Sequence, residues 1–351
     1  MNKYKIAVIP GDGIGKEVVR EAIKVIDIAS SKSNFKLEYD YFDWGSDYYL
    51  KNNEMMPKNG LDVLAKFQSI FLGAVGHPDI QDHITLNGLL LPIRRTFDQF
   101  VCLRPSALFE GVASPLANVS SGNIDMVVVR ENTEGEYANI GGFQYKGLPE
   151  EVAIQTSVFT KKGTERVINF AFKLSMERNK KLTSVTKSNA QGYSMVLWDE
   201  VFNDISKKYP EVKTESLLID AACMDFIRRP ESFDVVVASN LFGDILTDIA
   251  AMITGGLGLA SSGNIAYDTK NPSMFEPTHG SAPDIAGKNI ANPLAQILTG
   301  AMMLSHLGES ESAMNIRSAV QKVLEEGNTI TSDMGGTAST SECGKAVSNL
   351  L

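Results

Sequence analysis

The sequence predicts an α/β protein with largely parallel strand pairing. Short apolar runs of strand length alternate with longer amphipathic segments along the chain. The runs at 126–130 and 234–239 are rich in valine, as strands buried on both faces are. In chain order, residues 5–9 read as a buried strand. Residues 15–30 read as a helix with Val18, Val19, Ala22, Ile26 and Ala29 on one face. Residues 35–42 alternate as a strand does, and 69–72 form a buried strand ending at Gly73. Residues 139–157 break the alternation. They are glycine-rich, then strand-like from 151, and read as a projecting hairpin arm between subunits. Helices follow at 166–177, 193–208 and 293–306, and strand ends at 185–186 and 217–219.

A length of 351 residues suggests two domains. The hydrophobic fraction of 43% and charged fraction of 21% fit a packed globular chain. A net charge of −9 argues against a general nucleic-acid or membrane-surface binder. It leaves room for a local arginine cluster that binds a small anion. Cys102, Cys223 and Cys343 are far apart and odd in number, which argues against a disulfide framework and for a reducing, cytoplasmic location. The N-terminal apolar run is too short for a signal core, and Asp244 and Asp248 interrupt the apolar stretch 235–260. No membrane association is expected.

Gly11-Asp12-Gly13-Ile14-Gly15-Lys16 follows the first strand and opens a helix. The spacing fits neither a dinucleotide fingerprint nor a P-loop, because the third glycine comes one residue early and Glu17 follows the lysine. A tight strand-to-helix turn is the alternative. An ATP-using phosphotransferase built on this loop is disfavoured for the same reason.

Four further groups carry possible chemistry. Arg94, Arg95, Arg104 and Arg130 adjoin buried runs. They serve either as members of internal salt bridges or as bidentate binders of carboxylates. Asp244 and Asp248 stand four apart in a helical pattern, where two like charges call for a cation or a basic partner, and Asp220 is a third candidate oxygen ligand. Tyr137 and Lys187 lie just beyond strand ends, the usual place for ligands in open α/β sheets. The loop from Glu276 to Asn292 is dense in small residues and turn formers. Such a loop lets backbone N–H groups approach a phosphate, and an acidic residue in it would favour NAD over NADP.

Together these segments resemble the β-decarboxylating dehydrogenases, the family of isopropylmalate, isocitrate, homoisocitrate, tartrate and D-malate dehydrogenases. The landmarks are Gly11–Gly15, Leu103-Arg104-Pro105, Arg130-Glu131-Asn132-Thr133-Glu134-Gly135-Glu136-Tyr137, the 239–248 segment and the 276–284 segment, in the family's order. The resemblance implies an isopropylmalate dehydrogenase-like fold, not a Rossmann fold: two α/β domains sharing a central sheet region. The first domain would be discontinuous, residues 1–98 plus 250–351, and carry the NAD loop. The second, 99–249, would carry the dimer interface and the arm. Arg94, Arg104 and Arg130, with Leu90, look like the substrate site. Asp220, Asp244 and Asp248 look like ligands of Mg2+ or Mn2+, with K+ a candidate activator. Tyr137 and Lys187 look like the acid–base pair. Asn189, Glu276, His279, Gly280, Ser281, Ala282, Asp284, Ile285 and Asn292 look like the cofactor contacts. In this family Lys187 and Asp220 enter the site from a second subunit, so the implied catalytic unit is a homodimer.

Within the family the nearest likeness is to the tartrate and D-malate dehydrogenases, on residues 42–50, 55–57, 73–78 and 94–100. Gly88 and Leu90 replace the polar pair that precedes the first arginine in isocitrate enzymes. Leu89, Leu90 and Leu91 could form the apolar pocket of an isopropylmalate enzyme, the alternative reading. Asn87 and Pro92 depart from the tartrate pattern, where tryptophan and lysine are common. A silent regulatory subunit would have lost metal or acid–base residues, and this chain retains them.

Overall fold

The computed structural model describes residues 2–117, 119–268 and 270–351. The chain begins β1 (Asn2–Gly11), α1 (Gly15–Ser31), β2 (Phe35–Tyr41), α2 (Ser46–Asn52), α3 (Gly60–Leu64) and β3 (Ser69–Ala74). Next come α4 (Asp82–Thr85), a π-helical turn (Leu86–Leu90), α5 (Leu91–Thr96), β4 (Val101–Ala107) and β5 (Asp125–Glu131). The middle of the chain is β6 (Gly135–Gln144), β7 (Val152–Val158), α6 (Lys161–Glu177), β8 (Lys181–Thr186), α7 (Ser194–Ser206), β9 (Lys213–Leu218) and α8 (Ile219–Arg228). It closes with β10 (Val235–Ala238), α9 (Asn240–Ile253), β11 (Ser261–Ile265), β12 (Ser273–Pro277), α10 (Leu294–His306), α11 (Ser310–Glu326) and α12 (Thr340–Asn349). Among the described residues no helix is long and apolar enough to cross a membrane.

The chain divides into two compact units. The first comprises Met1–Gln99, Arg104–Ile124 and Ala251–Leu351; the second comprises Phe100–Leu103 and Asp125–Ala250. The sequence reading placed the whole of 99–249 in the second domain. The segment 104–124 instead belongs to the first, because Phe109 and Val112 pack into that unit's core with Leu324 and Ile330.

In the first unit the strand order is β2-β1-β3-β12-β11. β1 pairs parallel with β2 and β3, and β12 parallel with β3, with Val8 opposite Phe71 and Phe71 opposite Phe275. Both faces of this sheet are covered, and the two-residue period of a strand sorts its side chains between two cores. Ile6, Val8, Phe71 and Phe275 enter one core, with α1, α10, α11 and α12 residues such as Val25, Ile297, Val320 and Val347. Ala7, Ile9, Ile70, Leu72 and Met274 enter the other, with Trp44, Met55, Leu64, Ile93 and Phe97. One pair departs from the expected parallel pattern: β11 and β12 run antiparallel. The connection from Ile265 to Ser273 is too short for the crossover that a parallel pair requires.

In the second unit the order β5-β10-β8-β9 is parallel throughout. Its valine runs, Val127–Val129 and Val235–Val237, are buried. Phe172 of α6 is fully buried, 5.4 Å from the Phe202 ring of α7 and stacked at 5.0 Å on Tyr209. The Trp198 indole N–H donates to Ser184 Oγ at 2.9 Å, so α7 is also pinned to β8 by a buried polar contact. β6 and β7 form the expected hairpin, antiparallel and exposed along most of its length. Replacing Phe172 with Ala is expected to cost about 3–5 kcal/mol, read as a lowered urea midpoint for the unfolding of this unit.

Candidate active site

α9 forms as the periodicity predicts, so Asp244 and Asp248 stand on one face of a helix. The segment reaches the site through Arg130, the last buried cation of β5, only 2% exposed. Its Nε and Nη2 donate to Asn240 Oδ1 at 3.1 and 2.8 Å, and its Nη1 donates to Asp244. Close approach depends on Gly243. A Cβ there would lie 2.6 Å from Arg130 Cγ, which explains a glycine inside a helix despite its cost of about 1 kcal/mol in propensity.

Tyr137, early in β6, completes the group. Its hydroxyl donates to Asp244 Oδ2 at 3.1 Å, and the Arg130 guanidinium lies 5.6 Å from the centre of its ring. Burial, then the Asp244 charge, push the phenol above its ordinary pKa, with Arg130 acting in the opposite direction. Arg130, Tyr137 and Asp244 are therefore one connected cluster inside the second unit.

Lys187 and Asp220 form a separate pair in the same unit. Lys187 Nζ donates to Asp220 Oδ1 at 2.5 Å, and this bond holds the Asp220 carboxyl below its usual range. Asn189 lies exposed in the turn that follows, where Ala190 and Gln191 N–H groups close onto the Lys187 carbonyl. Among the described residues no three carboxylate, histidine or cysteine side chains come close enough to hold a metal ion. Asp220 is thus not gathered with Asp244 and Asp248 within one chain. What α9 offers is carboxylate oxygen alone, the donor type a hard divalent cation takes.

The first unit holds the remaining residues. Arg94 and Arg104 are each 8% exposed. Arg94 Nη2 donates to Glu276 Oε1 at 2.7 Å, and Asn264 Nδ2 donates to the same oxygen at 2.9 Å. Arg94 Nε is buried and makes no hydrogen bond to the described residues. The salt-bridge alternative for Arg94 and Arg130 is thus realised in the free chain. Leu89 and Leu90 belong to the core with Ile93 and Phe97, whereas Leu86 and Asn87 of the π-helical turn are exposed.

The loop after β12 is pinned from beneath. Ile14 N–H donates to the Ser281 carbonyl at 2.8 Å. Gly13 stands at φ +52°, and a Cβ there would lie 2.0 Å from that carbonyl oxygen. Ile14 and Val18 pack against Ala291, Ala282 and Ile285. Glu17 accepts from Asn289 N–H at 3.0 Å. The N-terminal glycines therefore buttress another loop, and Lys16 pairs with Asp47 at 2.6 Å. Asp12 fixes the turn by accepting from Ser46 N, Ser46 Oγ and Gly76 N.

Within the loop, Ala282 adopts φ +39°, which is strained for a residue with a side chain. Burial pushes the His279 imidazole below its usual pKa, and its Nε2 is buried with no hydrogen-bond partner among the described residues. A Cβ at Gly280 would meet open space, and Asp284 is exposed. These features fit a loop that receives a polar ligand. Just before α10, Asn292 Oδ1 accepts from Leu294 N at 2.9 Å, and its Nδ2 donates to Asp333 Oδ2 at 3.0 Å. Asp12, Glu17 and Asp333 were not singled out in the sequence. An aspartate between two turn glycines was a usable signal for the first. Nothing local marks Asp333.

A family model described as isocitrate/isopropylmalate dehydrogenase matches residues 5–347. The chain belongs to this family. It is 49% identical to a probable tartrate dehydrogenase/decarboxylase of Agrobacterium vitis, over 100% of this chain and 98% of that protein. It is 47% identical to the D-malate dehydrogenase (decarboxylating) of Escherichia coli K12, over 100% of this chain and 99% of that one. The crystal structure of isocitrate dehydrogenase from Methylococcus capsulatus superposes with a TM-score of 0.89 at 36% identity, covering 99% of each chain. Family, fold and oxidoreductase class agree with the resemblance read from the motifs.

Within this family site, Gly243→Ala provides a test with a definite sign. Helix propensity alone would make alanine stabilising by about 1 kcal/mol. The clash with Arg130 reverses that, and the expected result is a lower midpoint of thermal unfolding.

Proposed function

We propose that the protein oxidises a small 2-hydroxy dicarboxylic acid, D-malate or tartrate, with NAD and releases one carboxylate as CO2. The observation that carries this reading is the Arg130–Asp244–Tyr137 cluster. It joins an anion-binding cation, a cation-binding carboxylate and a proton donor around one side chain. The names of the tartrate and D-malate relatives support the substrate class.

Arg94, Arg104 and Arg130 bind the substrate carboxylates through their planar guanidinium forks. Asp244 and Asp248, with Asp220 from a second copy of the chain, would hold Mg2+ or Mn2+, which supplies Lewis-acid polarisation of the substrate oxygen. Lys187 takes the hydroxyl proton at Nζ, and NAD held by the 278–292 loop would supply the hydride acceptor for C2. The 2-keto acid then carries a carboxylate β to its carbonyl, and loss of CO2 leaves the electron pair on an enolate. Tyr137 delivers its proton to the enolate carbon and is left as the phenolate. A phenol is protonated near neutral pH, the state an acid requires. The loop from Thr278 to Asn292 receives the adenosine part of NAD. Exposed Asp284 suits a ribose with free hydroxyls and disfavours a 2′-phosphate.

A dimer with shared sites accounts for three further observations. Lys187 and Asp220 are paired away from the Asp244 group. α8, which carries Asp220, presents Met224 and Ile227 to solvent at 62% and 54% exposure. The β6–β7 hairpin leaves Ile140, Phe143 and Ile154 uncovered.

Initial rates with D-malate, L-tartrate, meso-tartrate, 3-isopropylmalate and isocitrate test the reaction. NADH and CO2 from D-malate or L-tartrate are expected, abolished by EDTA and restored by Mn2+. A tenfold preference in kcat/KM, about 1.4 kcal/mol, ranks the substrates. No NADH from any of them would sink the proposal. The shared site makes a separate demand. Lys187→Ala and Tyr137→Phe homodimers should each be nearly inactive, and a reassembled mixture should regain activity through heterodimers with one intact site. A mixture no more active than its parents would refute sharing.

A further inference from the structure

Glu131 ends β5 and Glu134 and Glu136 follow it, and the function above uses none of the three. Their carboxylates have separate structural targets. Glu131 folds back on its own turn, accepting from Thr133 N, Thr133 Oγ and Glu134 N. Glu134 accepts from Thr160 N at 2.9 Å and Thr160 Oγ at 2.8 Å, at the N-cap of α6. Glu136 accepts from Ser239 Oγ at 2.8 Å and from Leu241 N at 3.1 Å, at the first turn of α9. The first N–H groups of a helix lack partners within it, and its positive end favours a carboxylate.

Glu136 differs from the other two in what its helix carries. Asp244 lies one turn further along α9, and Tyr137, the next residue after Glu136, donates to Asp244. The 136–137 segment and α9 are therefore tied twice, at Leu241 N and at Asp244. Gly135 lets the strand run close beside the helix, since a Cβ there would sit 3.3 Å from Asn240 Cβ.

We infer that Glu136 is a positioning residue: by anchoring the first turn of α9 it sets the placement of the Asp244 carboxylate relative to Tyr137. This rests on the reading of Asp244 as a ligand of a divalent cation. Groups that hold a metal ligand in place commonly contribute tenfold or more to affinity. Glu134 is the matched control. Its side chain makes the same number of hydrogen bonds to the start of a different helix, and its backbone carbonyl, which accepts from Asn240 Nδ2 of α9, is left intact by substitution.

The test is Mn2+ binding to the intact protein, followed by electron paramagnetic resonance, alongside thermal unfolding and steady-state kinetics. Glu136→Ala is expected to weaken Mn2+ binding about tenfold and to lower kcat more than it raises KM for the diacid. Glu134→Ala is expected to lower the unfolding midpoint comparably with Mn2+ affinity unchanged. Glu136→Gln and Ser239→Ala, milder changes that keep one hydrogen bond, should fall between wild type and Glu136→Ala. They carry the test if the alanine variant does not fold. Wild-type Mn2+ affinity in the Glu136 variants, or an equal loss in Glu134→Ala, would overturn the inference. A wild-type protein that binds no Mn2+ would overturn the metal reading itself.

Discussion

A guanidinium that is 2% exposed has lost nearly all of its water and must be matched by fixed partners. In this protein that group is Arg130, and much of the second unit is arranged to match it. Asn240 and Asp244 supply the acceptors, so α9 must begin directly after β10 and approach β5 closely. Gly243 permits the approach. Deleting Asp244 would leave the buried Arg130 charge without its carboxylate partner, a destabilising change. The same requirement that stabilises the unit therefore fixes a carboxylate beside Tyr137.

The first unit solves a different problem, that of holding an irregular loop still. Residues 278–293 contain no helix or strand, and their order comes from other elements. β1 sends Ile9 and Val8 into opposite cores, and the turn that follows presents Ile14 N–H to Ser281. Asp12 holds that turn, and Glu17 and Ser341 hold Asn289. A loop fixed at both ends can keep the buried Nε2 of His279 and the strained backbone of Ala282 without relaxing. Backbone strain of this kind persists only where the surroundings over-determine it.

Much of this was legible in the linear sequence. The alternation of valine runs with amphipathic segments predicts α/β layering, and β5, β10, α1 and α10 form within a few residues of the predicted spans. The DxxxD spacing predicts one helix face, and α9 provides it. The strand-to-helix turn expected at the N-terminal glycines is present between β1 and α1. β4, the antiparallel β11–β12 pair and the short helices between β2 and β4 were not legible. Their periodicity covers too few residues, and contacts from distant segments decide their conformation. Segment 104–124 falls in the first compact unit for the same reason, since Phe109 shares that unit's core with Leu324.

The sequence by itself determined which chemistry-bearing residues exist and which local element each occupies, because periodicity, turn chemistry and motif order are properties of neighbours along the chain. Only the tertiary structure decided the pairings. Arg130 meets Asp244 across 114 positions, Tyr137 meets it across 107, and Arg94 meets Glu276 across 182. No local pattern encodes such distances. They follow from how strands share a sheet and from the free energy of leaving a buried charge unmatched.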